Sequence, residues 1–293
     1  MSANTATGKS NQNKIVIIGR GLLGQALATA LQEFKPIILT HRDLDITKQA
    51  QVDEVLGQLA PDVIINAAAY AKVDQCETER ALAMQVNSVA PRYLAMAAKR
   101  QDAYFIHYST DYVFSGKQAA GYPETANDFA PINTYGESKL GGEQAIQQVA
   151  DSTWQKFYII RTAWLYGGGG TNFVDTMIAL GKQRSELKVV NDQHGSPTFT
   201  QDLAEQTRQL IEQRLAGGIY HCTNSGHCTW FEFAQAIFAL NHQTVQVLPC
   251  TSAEFPRPAQ RPAYSILLNT KLPAMRPWQS ALADYINQRS DKV

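Results

Sequence analysis

Apolar residues along the first half of the chain fall into short β-branched runs, separated by stretches in which they recur every three or four positions. "KIVIIG" (14–19) is such a run, ended by glycine, as a buried parallel strand would be. "LLGQALATALQEF" (22–34) has helical spacing, "PIILT" (36–40) reads as a second strand and "KQAQVDEVLGQL" (48–59) as a helix. "PDVIINAAA" (61–69) is a third strand, and a long helix over roughly 76–100 leads to a fourth, "AYFIHYST" (103–110). After the loop "ETANDFAPINT" a helix runs to about 150, and "KFYIIRTAWLYG" (156–167) reads as another strand. Strands alternating with helices predict an α/β protein on a doubly wound parallel sheet, covered by helices on both faces.

The pattern changes after Gly167. "GGGG" (167–170), "NDQHGSPT" (191–198) and "PCTSAEFPRPAQRPAYS" (249–265) are rich in Gly, Pro and polar residues, with short helices near 172–183, 201–214 and 230–240. The expected organisation is a disordered leader over 1–13, a Rossmann-type dinucleotide-binding domain over 14–166, and a smaller C-terminal substrate-binding lobe over 167–293. Part of the chain near 195–217 is expected to return to the first domain.

Composition narrows the function classes. The chain has 293 residues with 26 Lys plus Arg against 26 Asp plus Glu, so its net charge is zero. No basic patch stands out, which argues against nucleic acid as a partner. Four cysteines (Cys76, Cys222, Cys228, Cys250) form no disulfide framework and fit a reducing compartment. No apolar run is long enough to span a membrane, and the polar "MSANTATGKSNQN" lacks the apolar core of a signal peptide, so a cytoplasmic location is expected. "TGKS" (7–10) resembles the end of a phosphate-binding loop, but no strand precedes it and its first glycine would fall at Ala3.

Two constellations carry chemistry. "IIGRGLLG" (17–24) ends a strand and opens a helix, with Gly19, Gly21 and Gly24 in the G-x-G-x-x-G spacing. That arrangement gives a tight turn, close backbone approach to a pyrophosphate, and a helix N-terminus facing the phosphates. The second strand ends "LTHRD", with Arg42 able to pair a 2′-phosphate, which favours NADPH slightly; Asp43, one residue on, keeps NADH open. Further along, "HYSTDYVF" (107–114) sets Ser109 and Thr110 at the carboxyl end of the fourth strand, where open parallel sheets bind ligands. Tyr135 and Lys139 in "YGESK" follow, four apart on one helical face. A hydroxyl, a tyrosine and a lysine beside a dinucleotide form a carbonyl-reducing set. Thr110 would donate to the carbonyl oxygen, Tyr135 would protonate it, and Lys139 would lower the tyrosine pKa and hold the nicotinamide ribose.

Together with "NAAA" (66–69), "VN" (86–87), "DYVFSG", "YGESKLGGE", "RTAWLYG", "TNFVDTM", "NDQHGSPT" and "RPAYSILLNT", these motifs span nearly all of residues 14–285. The set resembles the dTDP-4-dehydrorhamnose reductases, within the extended short-chain dehydrogenase/reductases. The resemblance implies reduction of the 4-keto group of dTDP-6-deoxy-L-lyxo-4-hexulose to dTDP-L-rhamnose, a cell-surface polysaccharide precursor. It implies Thr110, Tyr135 and Lys139 as the catalytic triad, and Gly21, Leu22, Leu23, Asp45, Ile46, Ala69, Tyr70, Ala71 and Tyr108 around the cofactor. Thr110, Asp111 and Trp164 would touch the sugar; Asn172, Phe173 and Arg261 would lie towards the nucleotide diphosphate. Some family members dimerise, in part through a magnesium bridge between acidic residues, but no such cluster is assignable in this sequence. Two departures stand out: the first turn has one residue fewer than the family's G-x-x-G-x-x-G, and Ile266 stands where relatives often carry arginine.

"HCTNSGHC" (221–228) offers His221, Cys222, His227 and Cys228, but adjacent His-Cys pairs do not match zinc-ligand spacing, and no metal site is expected. Two other functions compete with the first. One is a reductase or epimerase of a different nucleotide-activated 4-keto-6-deoxy sugar. The other is a non-catalytic NADP-binding regulatory subunit, against which the intact Thr110, Tyr135 and Lys139 argue.

Overall fold

The computed structural model describes residues 13–290. The leader, except residue 13, and the "TGKS" stretch lie outside the described residues. The first half runs β1 (Ile15–Ile18), α1 (Leu22–Ala30), β2 (Ile37–Leu39), α2 (Gln49–Leu59), β3 (Val63–Asn66), α3 (Val73–Thr78), α4 (Arg80–Met84), α5 (Ala90–Arg100), β4 (Tyr104–Thr110), α6 (Thr134–Val149) and β5 (Phe157–Thr162). The second half adds β6 (Leu165–Tyr166), α7 (Phe173–Gly181), β7 (Glu186–Val190), β8 (His194–Gly195), β9 (Thr198–Phe199), α8 (Thr200–Gln213), β10 (Gly218–His221), β11 (Cys228–Thr229), α9 (Trp230–Leu240), β12 (Gln246–Cys250) and α10 (Trp278–Ser290).

Six strands form one parallel sheet in the order β10-β5-β4-β3-β1-β2. Strand alternation divides its side chains between two cores. Val16, Ile18, Ile64, Phe105 and Ile159 pack under α2, α5 and α6. Ile15, Ile17, Ile65, Ile106 and Ile160 pack against Leu23 and Leu27 of α1 and Leu203 and Leu210 of α8. The fold class is therefore the doubly wound one. The third core is aromatic: Tyr166, Phe199, Phe233, Trp278 and Tyr285 gather α7, α9 and α10 around the short sheets.

The helix expected over 76–100 is instead α3, α4, a π-turn over Gln85–Val89, and α5. Pro91 has no N–H for the Asn87 carbonyl, so regular helical bonding cannot pass through this point. The widened turn presses Asn87 against α6, where a Cβ on Gly142 would come within 2.2 Å of its carbonyl oxygen. The strand expected over 156–167 breaks at Trp164, whose φ of +47° turns the chain between β5 and β6. Between β5 and α6, Arg161 and Glu143 form a fully buried pair with bonds of 2.9 and 2.6 Å. Among the described residues, no helix is long and apolar enough to cross a membrane.

Candidate functional site

β1 ends at Gly19, whose φ of +102° and closeness to Ala67 and Ala68 leave no room for a side chain. Here the shortened turn gains a role: Gly19 lets the chain leave β1 directly over the exit of β3. Gly21 caps α1 with no side-chain hydrogen bond, leaving the first N–H groups of the helix for an anion. Leu22 is half-buried, Leu23 joins the core, and a Cβ on Gly24 would sit 2.0 Å from the Gly19 carbonyl oxygen. Gly24→Ala is expected to cost about 1–3 kcal/mol in a urea melt, because turn and helix must separate. A melt like that of the unmodified protein would show that the turn tolerates the methyl group.

At the end of β2, Asp43 is turned back into its own loop, accepting from the Thr40 N–H at 2.8 Å and hydroxyl at 2.6 Å. Those bonds hold its carboxyl below the usual range. Arg42 is exposed beside it. Asp45 accepts from the Thr47 hydroxyl at 2.6 Å, and Ile46 is a core residue. After β3, the loop carrying Ala69, Tyr70 and Ala71 is fixed by Asn87, which accepts from the Tyr70 N–H at 2.8 Å and donates to its carbonyl at 3.0 Å. The Tyr70 hydroxyl donates to Glu79 at 2.6 Å, an acceptor that pushes its pKa up to about 12.

Thr110, Tyr135 and Lys139 converge at the carboxyl end of β4. The Asn133 side chain caps α6 by accepting from the Gly136 N–H at 2.8 Å, setting Tyr135 in the first turn. The Thr110 hydroxyl donates to Asp111 Oδ1 at 2.7 Å. Burial raises the Asp111 carboxyl to about 6, against the opposing pull of the Ser265 and Thr110 hydroxyls. Tyr135 departs from expectation. Burial first, and then Asp111, push its pKa up, while only the neighbouring Thr110 hydroxyl pulls it down. Lys139 Nζ donates to the Tyr108 carbonyl at 2.5 Å and lies 3.2 Å from His107 Nε2. Tyr108 acts on the crevice through its main chain, because its hydroxyl is bonded to Thr207 at 2.7 Å within the opposite core.

Beside this centre lies a cavity of about 750 Å³. Tyr112, Phe173, Trp230 and Phe255 give it aromatic walls, and Arg184, Lys188, Arg257 and Arg261 supply positive charge. Arg261 is held by Asp74 at 3.0 Å and by the Ala259 carbonyl at 2.7 Å. Trp164 stacks on Trp230, which lines the cavity, with centroids 3.5 Å apart. Asn172 caps α7 by accepting from the Asp175 N–H, and its amide donates to the Gly167 carbonyl at 2.9 Å. Ile266 is buried against Gly121 and does not line the cavity. In the "HCTNSGHC" stretch, His221 is 3.4 Å from Arg161 and 3.2 Å from the Leu268 carbonyl. Among the described residues, no cluster of three or more His, Cys, Asp or Glu could hold a metal.

Asn66, Asn87, His107 and Glu143 lie within motifs quoted from the sequence but carry no individual role there, and Trp230 lies outside those motifs. A polar residue inside an apolar strand was the available signal for His107 and Asn66; Trp230 carried none.

A parallel doubly wound sheet, a glycine turn beneath its first helix, and a Tyr-x-x-x-Lys helix at the crevice define a Rossmann-type protein with the architecture of the extended short-chain dehydrogenase/reductases. Residues 13–290 match the RmlD substrate binding domain model, and the chain belongs to that family. A dTDP-4-dehydrorhamnose reductase of Streptomyces griseus is 41% identical over 276 residues, covering 90% of each chain. The spore coat polysaccharide biosynthesis protein SpsK of Bacillus subtilis (strain 168) is 40% identical, covering 94% of this chain and 98% of its own. The dTDP-4-dehydrorhamnose reductase of Bacillus anthracis str. Ames, solved in complex with NADP, superposes with a TM-score of 0.90 at 41% identity, over 94% of this chain and 99% of that one.

Proposed function

We propose that this chain is an NAD(P)H-dependent dTDP-4-dehydrorhamnose reductase, converting the 4-keto group of dTDP-6-deoxy-L-lyxo-4-hexulose to the alcohol of dTDP-L-rhamnose. The observation that supports the reading is the Thr110 hydroxyl at Tyr135, whose ring meets Tyr112 of the cationic aromatic cavity edge to face at 5.8 Å. The uncapped N-terminus of α1 and the tight turn at Gly19 suit a pyrophosphate, so the residues fit a dinucleotide. A nicotinamide held there supplies the hydride. Tyr135, kept protonated by its buried setting, gives its proton to the carbonyl oxygen as that oxygen gains charge. Thr110, oriented by Asp111, flanks the same oxygen. Lys139 holds the ribose edge. The Trp164–Trp230 stack offers an apolar face to the 6-deoxy sugar, and Phe173, Arg261 and their cavity neighbours receive the nucleotide. In this reading residues 14–166 carry the dinucleotide and the later lobe carries the nucleotide sugar.

The test is nicotinamide absorbance with purified protein and dTDP-6-deoxy-L-lyxo-4-hexulose, NADH and NADPH side by side. Loss of absorbance is expected with this substrate; cofactor binding without turnover would leave a non-catalytic binder. A Streptomyces antibioticus relative, 39% identical, is named a probable dTDP-4,6-dihydroxy-2-methyloxan-3-one 4-ketoreductase, so that ketone belongs in the same panel. NADPH is the expected partner, since Asp43 is engaged by Thr40 while Arg42 is exposed. Arg42→Ala should weaken NADPH by roughly tenfold, the scale of one charge-assisted hydrogen bond. NADH affinity should be unchanged; equal losses for both cofactors would remove Arg42 as the discriminator.

A further inference from the structure

Residues 259–261 come late in the chain, yet they bond to α3 and to the cap of α6. The Ala259 N–H donates to Asp74 Oδ1 at 3.2 Å, across 185 positions of sequence. The same oxygen lies 3.0 Å from Arg261 Nη2, while Arg261 Nη1 donates to the Ala259 carbonyl at 2.7 Å. The Arg261 side chain is 18% exposed in this grip, whereas Arg257, 3.8 Å from the other Asp74 oxygen, is 53% exposed. Part of the Arg261 fork is spent here, and the rest is left for an anion in the cavity it lines. The Gln260 carbonyl accepts from Asn133 Nδ2 at 2.8 Å. Asn133 caps α6, and its Oδ1 is committed to the Gly136 N–H at 2.8 Å. That bond settles which way the amide faces, so its donor end must point at residue 260. Tyr135 stands in the same turn.

We infer that Asp74 and Asn133 are positioning residues that fasten the 259–261 segment to the first turn of the Tyr135 helix, so that an anionic nucleotide sugar held by Arg261 meets the acid in register. The inference deepens the reductase reading and rests on it. The two ties have different tasks. Asp74 aims the Arg261 guanidinium. Asn133 sets the distance from the segment to Tyr135, because one amide joins both. α3 steadies that turn as well, since Glu77 accepts from the Thr134 N–H at 2.8 Å and hydroxyl at 3.1 Å. The same groups act on Tyr112, which lines the cavity. Burial and Asp111 raise its pKa, Arg261 opposes them, and Tyr135 and Asp74 add to the rise. A carboxylate beside an anion site repels the anion. Any gain in nucleotide affinity from Asp74 must therefore come through Arg261, which gives the test its sign.

The experiment is calorimetric binding of dTDP to the NADPH-loaded full chain, followed by single-turnover reduction of dTDP-6-deoxy-L-lyxo-4-hexulose. Asp74→Asn keeps an oxygen for the Ala259 N–H and removes the charge facing Arg261. Its dTDP affinity should fall by roughly tenfold, the scale of one charge-assisted hydrogen bond. Added to Arg261→Ala, the same change should cost nothing further, because its effect passes through the guanidinium. Asn133→Ser and Asn133→Asp both keep a capping oxygen for the Gly136 N–H, but neither brings a donor to the Gln260 carbonyl. Their urea melts and dTDP affinities should stay near those of the unmodified protein. The reduction rate should fall by about tenfold to a hundredfold, as for a substrate held out of register. Unchanged or tighter dTDP binding in Asp74→Asn would overturn the inference, the second being what simple repulsion predicts. Full turnover in the Asn133 variants would overturn it too, as would failure of the unmodified protein to bind dTDP. Unmodified protein that binds dTDP but reduces no ketone would sink the reductase reading and leave the Asp74–Arg261 coupling standing.

Discussion

Tyr135→Phe is expected to lower kcat by about two to four orders of magnitude, the range of a lost general acid. The substitution deletes one hydroxyl and little else. The ring still meets Tyr112 edge to face at 5.8 Å, and Thr110 still donates to Asp111 at 2.7 Å. Melting and cofactor affinity should therefore be unchanged, and single-turnover loss of nicotinamide absorbance should carry the whole effect. The sign of the pKa shift matters. Burial keeps the phenol protonated at neutral pH, so the group is charged with its proton before the ketone arrives. A loss below tenfold would place the proton elsewhere. The next acid is Asp111, raised to about 6, whose Oδ2 is buried with no hydrogen-bond partner among the described residues.

The parallel sheet was legible because its strands are buried on both faces, and such strands write themselves as continuous runs such as "IVII" and "VIIN". β10, "GIYH", is the edge strand beside β5, too short and glycine-led to announce itself, and pairing with β5 defines it. The π-turn at Gln85–Val89 was hidden for another reason. Its sequence is helical locally, and the distortion comes from Pro91 together with close contact to Gly142 on a distant helix. At the site, Tyr135 and Lys139 could be read because one helix carries both. Trp230 could not, since it meets Trp164 only after the lobe has folded. The pKa expectation failed for a similar reason. Spacing sets Tyr135 and Lys139 on one face, but the Tyr135 pKa is raised by burial and by the Asp111 carboxyl just beyond β4, neither of which the spacing shows.

The largest loss of stability is expected at Arg161. Its guanidinium is fully buried, forked onto Glu143 at 2.9 and 2.6 Å, and covered by the rings of Phe114 and Phe129 at 4.9 and 5.0 Å. Arg161→Leu keeps bulk but strands a carboxylate in the core, which should cost about 3–5 kcal/mol in urea unfolding. If the stranded charge is the cause, adding Glu143→Leu should recover most of that loss, because the double variant has no buried ion to compensate. If packing beneath the two phenylalanines is the cause, the double variant should be at least as unstable as the single one. The pair also reaches the chemistry. Glu143 is one helical turn from Lys139 and raises its proton affinity, so replacing it should push the Lys139 midpoint further down. The double variant would then be stable and still shifted, separating what the pair does for the fold from what it does for the Lys139 side chain.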